Sequence, residues 1–237
     1  MLFNYKDTKG NQSGNVLFLI LIAVALFAAL SYAVTQSTRS GGGSTSNETA
    51  GINAAQTTQY PASVRTAVVR MIISGVDATN LEFNPASAFG TLTSPEFGVF
   101  HPNGGGATHV QAPAVIMADG NPGEWFFNPE FEIVNIGTSV GTDDAGNDYI
   151  AFLPGITESI CTRINSDLGV SGNTTISSAP AATRYTTNMV TGYTPPGDEF
   201  VLGTGSSDGL AGQPFGCFTN DVPNPVEHVY YHMILEQ

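Results

Sequence analysis

From Val16 to Val34 the chain reads VLFLILIAVALFAALSYAV, with no charged residue and no proline. A helix over this run is about 28 Å long at 1.5 Å per residue, which matches the hydrocarbon core of a bilayer. A core helix of a soluble domain carries a polar face, whereas this run offers only Ser31 and Tyr32 near its end. It is therefore expected to meet lipid, and the residues after it are expected to form an exported or tethered domain. Lys6 and Lys9, the only two lysines, precede the run, and only Arg39 follows it closely. That asymmetry favours a cytoplasmic N-terminus.

Composition limits what lies beyond the helix. The chain has 237 residues, enough for one ordinary domain plus an accessory segment. Hydrophobic residues make up 41%, adequate for a packed core, while charged residues are 11%, less than half of the roughly 25% usual in soluble proteins. Disorder needs the opposite balance and is excluded for the bulk of the chain. The net charge is −13, from 20 acids against 7 bases. Arg39, Arg65, Arg70, Arg163 and Arg184 are scattered, so no basic face exists to neutralise phosphates, and nucleic acid is excluded as a main partner.

Three readings fit the N-terminal segment. It is a plain signal anchor; or a Sec signal peptide cut after Ala33, where Ser31-Tyr32-Ala33 supplies small residues; or residues 1–14 are a leader removed between Gly14 and Asn15. The third pattern joins a short leader with Lys6 and Lys9, a closing Gly14, and an apolar helix starting at Val16. It resembles type IV pilins and the pseudopilins of type II secretion. Asn15 stands where that family usually has Phe or Met, and Leu19 stands at the fifth mature position, where a Glu is usual. The missing acid points toward a minor, tip-type subunit. The resemblance implies processing by a prepilin peptidase, storage in the inner membrane with the head in the periplasm, and packing of residues 15–38 against like or other pilin-like subunits. Extracellular exposure follows once a filament is built.

Residues 39–48 begin with Arg39-Ser40-Gly41-Gly42-Gly43-Ser44 and read as a flexible Gly/Ser linker. A head of about 190 residues, 49–237, follows. Pro61 suits the first turn of a helix ending before Gly75, with Val64, Ala67, Val68, Met71 and Ile72 on one face. Beyond Leu81, short apolar runs separated by Gly, Pro, Asn and Asp predict strands at Phe97–Phe100, Ala114–Met117, Trp125–Phe127, Phe131–Ile136 and Tyr149–Leu153. A second helix is expected over Ile156–Leu168, closed by Gly169, and a last strand after Glu227. Residues 171–182 read as a loop. The predicted class is α+β: a transmembrane helix, a linker, and an antiparallel sheet with one or two packed helices. Cys161 and Cys217 are an even count in an exported chain and are expected to form one disulfide.

Chemistry is sparse. Asp143, Asp144, Asn147 and Asp148 put several oxygens in one loop, a candidate for a hard cation such as calcium, although turn residues are equally at home there. Calcium is also known among pseudopilins, so the resemblance points the same way. No other cofactor is implied. His228 and His232 are four apart on an expected strand, about 13 Å, too far to share a metal ion, and are read as surface or interface residues. Gly205-Ser206-Ser207-Asp208-Gly209 matches GxSxG but lacks a helix start behind it. Gly104-Gly105-Gly106 lacks the GK[ST] ending of a phosphate loop. Trp125-Phe126-Phe127 is a cluster of a kind that stacks on sugars, and a strand core explains it first. The chain is therefore expected to be a non-enzymatic, pilin-like or pseudopilin-like subunit of an envelope filament or secretion apparatus. The alternative is a Sec-exported or anchored β-rich surface or binding protein.

Overall fold

The computed structural model of the chain describes residues 13–137, 147–170, 175–176, 184–193, 200–221 and 226–237. It divides into two units, residues 1–49 and 50–237. The first helix, α1, is Ser13–Ile73. In the first unit its apolar stretch Val16–Thr35 has mean hydropathy 2.7, and every side chain from Val16 to Thr35 is exposed. It is the one helix among the described residues long and apolar enough to cross a membrane, and a signal sequence has the same properties. Helical backbone also covers residues 39–46, where a linker was expected. Propagation of a helix adds one hydrogen bond per residue fixed, so flanking turns offset part of what Gly41–Gly43 cost.

In the second unit α1 runs on from Ala50. Pro61 lies inside the helix and not at its start, so the expected boundary is wrong by several turns. Polar, Ala-rich residues 47–59 hide a helix whose buried face is supplied by Ala54 and Thr57 as well as Val64, Ala67, Val68 and Met71. The C-terminal end agrees with the sequence. Gly75 takes φ +96°, its N–H bonds Ile72, and the Val76 N–H bonds Met71, the pairing that closes a helix through a left-handed residue.

The sheet comprises β1 (Phe126–Ile133), β2 (Asp148–Pro154), β3 (Thr175–Ile176), β4 (Phe200–Leu202), β5 (Phe215–Asn220) and β6 (Glu227–Leu235). Their order is β3-β5-β6-β2-β1-β4. The sheet is mixed and not antiparallel throughout, because β4 lies parallel to β1 and β3 parallel to β5. β1 and β2 form an antiparallel pair, with a register break between Asn128 and Phe131 around Pro129, a residue unable to donate to a ladder. The expected strand Phe97–Phe100 is a turn region with one bridge, Glu82 to Gly98. The expected strand Ala114–Met117 is a 3-10 turn over Ala114–Ile116, starting after Pro113.

Both faces of the sheet are covered. Tyr149, Ala151, Leu153, Tyr230 and Ile234 face the core built with α1 and the second helix, α2 (Glu158–Asp167). Ile150, Phe152, Val229, Tyr231 and Met233 face a second core with Phe131, Tyr185, Leu202, Leu210 and Phe218. Two-sided burial is why these strands read as nearly continuous apolar runs.

The glycine run packs the head. Gly104 and Gly105 lie so close to the Gly98 and Val99 carbonyls that a Cβ at either would collide with backbone, and one at Gly105 would also come 2.9 Å from Met71 Sδ. Arg70 donates through Nη2 to the Gly105 carbonyl. Gly105→Ala is expected to cost about 1–3 kcal/mol by overpacking, read as a lowered denaturation midpoint. Gly90→Ala, where nothing lies within 4 Å, is expected to stay within about 0.5 kcal/mol of wild type. Equal midpoints for the two variants would refute this account.

Candidate functional site

The most conspicuous functional surface is the first unit itself. Val16, Leu17, Phe18, Leu19, Ile20 and Leu21 are each 58–65% exposed, and no acid or base interrupts the run as far as Thr35. A membrane-spanning helix and a signal sequence both present a continuous apolar surface of this kind. Gly14 and Asn15 lie in the first turn of α1.

The other residues singled out by sequence divide sharply. Cys161 and Cys217 form the one disulfide, and none of the described cysteines is free. The bridge joins α2 to β5, and Asn165, one turn along α2, reinforces it. Asn165 Nδ2 donates to the Cys217 carbonyl at 2.8 Å, and its Oδ1 accepts from the Cys217 N–H at 2.9 Å. That side chain thus replaces a neighbouring strand at this point of β5.

Asp143 and Asp144 lie outside the described residues. Asn147 and Asp148 are buried. Asp148 turns inward, with Oδ2 accepting from the Ile133 N–H at 3.0 Å and Oδ1 from the Gln237 N–H at 3.4 Å. Burial pushes its carboxyl up to about 6, against those hydrogen bonds and with help from Glu132 and Glu236. Asn147 Oδ1 has no hydrogen-bond partner. Among the described residues no group of three His, Cys, Asp or Glu side chains gathers as a metal site.

The histidines do not pair on a metal either. His228 Nδ1 lies 3.3 Å from Thr219 Oγ1. His232 is a correction to the sequence reading, because it is buried rather than at the surface. Its ring stacks on Phe215 at 5.5 Å and its Nδ1 lies 2.8 Å from the Tyr230 hydroxyl. Burial, then Arg65, hold it down to about 4. Ser207 is buried, and its hydroxyl donates to the Thr204 carbonyl at 2.9 Å and accepts from the Gly203 N–H at 3.0 Å. It is a turn cap.

Among the described residues of the head, two hollows bear on the question of a ligand. One, of about 500 Å³, is lined by Met117, Asp119, Glu124, Gly155, Glu227 and His228 among others. Its acids are engaged: Asp119 accepts from Asn121, Glu124 from Gln111 and Glu227 from Tyr185. The other, about 330 Å³, lies between α1 and the chain from Val110 to Ile116. Gln56, Gln59 and Tyr60 come from α1, and Trp125 completes the wall. The sequence hid this hollow because residues 47–59 carry no apolar stripe strong enough to announce a helix.

No protein-family model, no curated protein and no solved structure matches this chain.

Proposed function

We propose that the protein is a non-enzymatic, membrane-stored subunit, pilin-like or pseudopilin-like, that assembles through its N-terminal helix. One observation carries the reading: Val16–Thr35 is apolar along its whole length and exposed all round. Such a helix is stable in lipid, and it exchanges lipid contacts for helix contacts when subunits gather. A helix laid on a sheet and one disulfide are also in keeping with it. Like or related subunits, a prepilin peptidase and inner-membrane lipid are the partners this reading requires.

The test is the mature N-terminus of protein taken from its own membranes, by intact mass and terminal sequencing. A start at Asn15, with an N-methyl group, is the expected result. A start at Val34 would replace the proposal with a Sec-exported domain, and an uncut Met1 with a simple tethered one.

A further inference from the structure

The smaller hollow has the chemistry of a ligand site. Gln56, Gln59 and Tyr60 stand three and four apart on α1 and line one side of it, the spacing that puts helical side chains on one face. Val110, Pro113 and Ile116 give the opposite side an apolar surface. No charged side chain lines it. Its about 330 Å³ lies at the lower end of the roughly 300–1,000 Å³ usual for small-molecule sites.

The walls are held in place before any ligand arrives. Tyr60 packs on Trp125 with ring centres 5.2 Å apart, and Trp125 in turn meets Tyr230 edge to face at 6.1 Å. The Tyr60 hydroxyl accepts a long bond from the Val110 N–H at 3.5 Å, which leaves its own proton to donate. Gln111 Nε2 donates to Glu124 at 3.1 Å, and Glu124 lies 3.6 Å from His109 Nε2. Trp125 is 2% exposed, and its indole Nε1 has no hydrogen-bond partner.

We propose that this hollow binds a neutral sugar, with the apolar face of the ring against Val110, Pro113 and Ile116 and its hydroxyls on Gln56, Gln59 and Tyr60. An acyl chain would leave two glutamines and a phenol desolvated without partners, which is costly. An anion or cation would find no counter-charge on the walls. Planar amides and a phenol donate and accept at once, which is what the adjacent hydroxyls of a pyranose demand. None of the lining residues belongs to Val16–Thr35, so neither proposal depends on the other.

Trp125 is the only tryptophan in the chain, so its emission reports on this wall alone. The full chain, in phospholipid nanodiscs free of sugar detergents, is titrated with glucose, galactose, mannose and N-acetylglucosamine. Emission is followed in parallel with saturation transfer from protein to sugar protons. At least one sugar is expected to bind saturably by both readouts. The double substitution Gln56→Ala and Gln59→Ala is expected to weaken that sugar by about tenfold or more, at roughly 1 kcal/mol per hydrogen bond. Both positions are exposed on a helix, where alanine is the best helix former, so an unchanged circular dichroism spectrum accompanies the loss. Silence of both readouts for every sugar would overturn the proposal. So would a double variant that binds like the wild type, or an equal response to the acyclic polyol sorbitol.

Discussion

Replacing Cys161 and Cys217 together by alanine is expected to lower the stability of the head by about 4 kcal/mol. The bridge closes a loop whose ends are 56 residues apart, and removing it returns that loop entropy to the unfolded chain. A loss of this size is a large part of the roughly 5–15 kcal/mol that holds a typical domain together. Asn165→Ala, with the bridge intact, is expected to cost about 2–3 kcal/mol, because it strands the buried N–H and carbonyl of Cys217. The two losses are expected to fall short of additivity when combined, since both sites hold α2 against the same residue of β5. Urea unfolding of the four proteins measures this. A cysteine-free head as stable as the wild type would refute the account.

The second large effect is a pair of opposed pH dependences. The Asp148 carboxyl is raised from 3.8 to about 6 by burial, so the folded state favours its neutral form. The stability it supplies is complete below pH 3.8 and is lost as pH rises to about 6. His232 is lowered from 6.5 to about 4, so the folded state favours the neutral ring. Its contribution is complete above pH 6.5 and is lost as pH falls to about 4. Each shift corresponds to about 3 kcal/mol, and over pH 4–6 the two slopes oppose each other.

In Asp148→Asn the histidine slope is left alone, and stability should rise with pH by about 3 kcal/mol relative to wild type over that window. In His232→Asn the aspartate slope remains, and stability should fall with pH by a similar amount. The groups facing Asp148 are Glu132 and Glu236, and those facing His232 are Arg65 and Tyr230. Their own titration is common to all three proteins and largely drops out of the differences. Parallel curves of unfolding free energy against pH for the three proteins would rule out this pairing.

Much of the fold was legible in the sequence where one signal acted alone. Gly75 and Gly169 closed the two helices as expected, with φ +96° and +71°. The second helix and the last strand lie where they were expected, as α2 (Glu158–Asp167) and β6 (Glu227–Leu235). The failures came where two physical preferences competed. Pro61 is at home in a first helical turn, but tertiary burial of Ala54 and Thr57 extends the helix behind it. Val115 and its neighbours look like a strand, yet Pro113 initiates a 3-10 turn that leaves Val115 61% exposed. Phe200–Leu202 escaped notice because three residues are too few to show a period, and Phe215–Asn220 because Gly216, Thr219 and Asn220 interrupt its apolar pattern. The sugar-sized hollow was illegible for another reason. Its residues come from segments 50 or more positions apart, and only the fold brings Gln56 and Tyr60 beside Val110 and Trp125.

Strand β6 lies between β5 and β2 and is the last of the six to be synthesised. Tyr149 pairs with Leu235 and Cys217 with Tyr230, so neither half of the sheet joins the other until residues 227–235 have left the ribosome. Up to that moment the hydrogen-bonding edges of β2 and β5 are open and ready to accept a strand from another chain. Closure of the sheet is in this way tied to the synthesis of β6. A cell making this protein has to keep the open edges of β2 and β5 apart from other chains until β6 is in place.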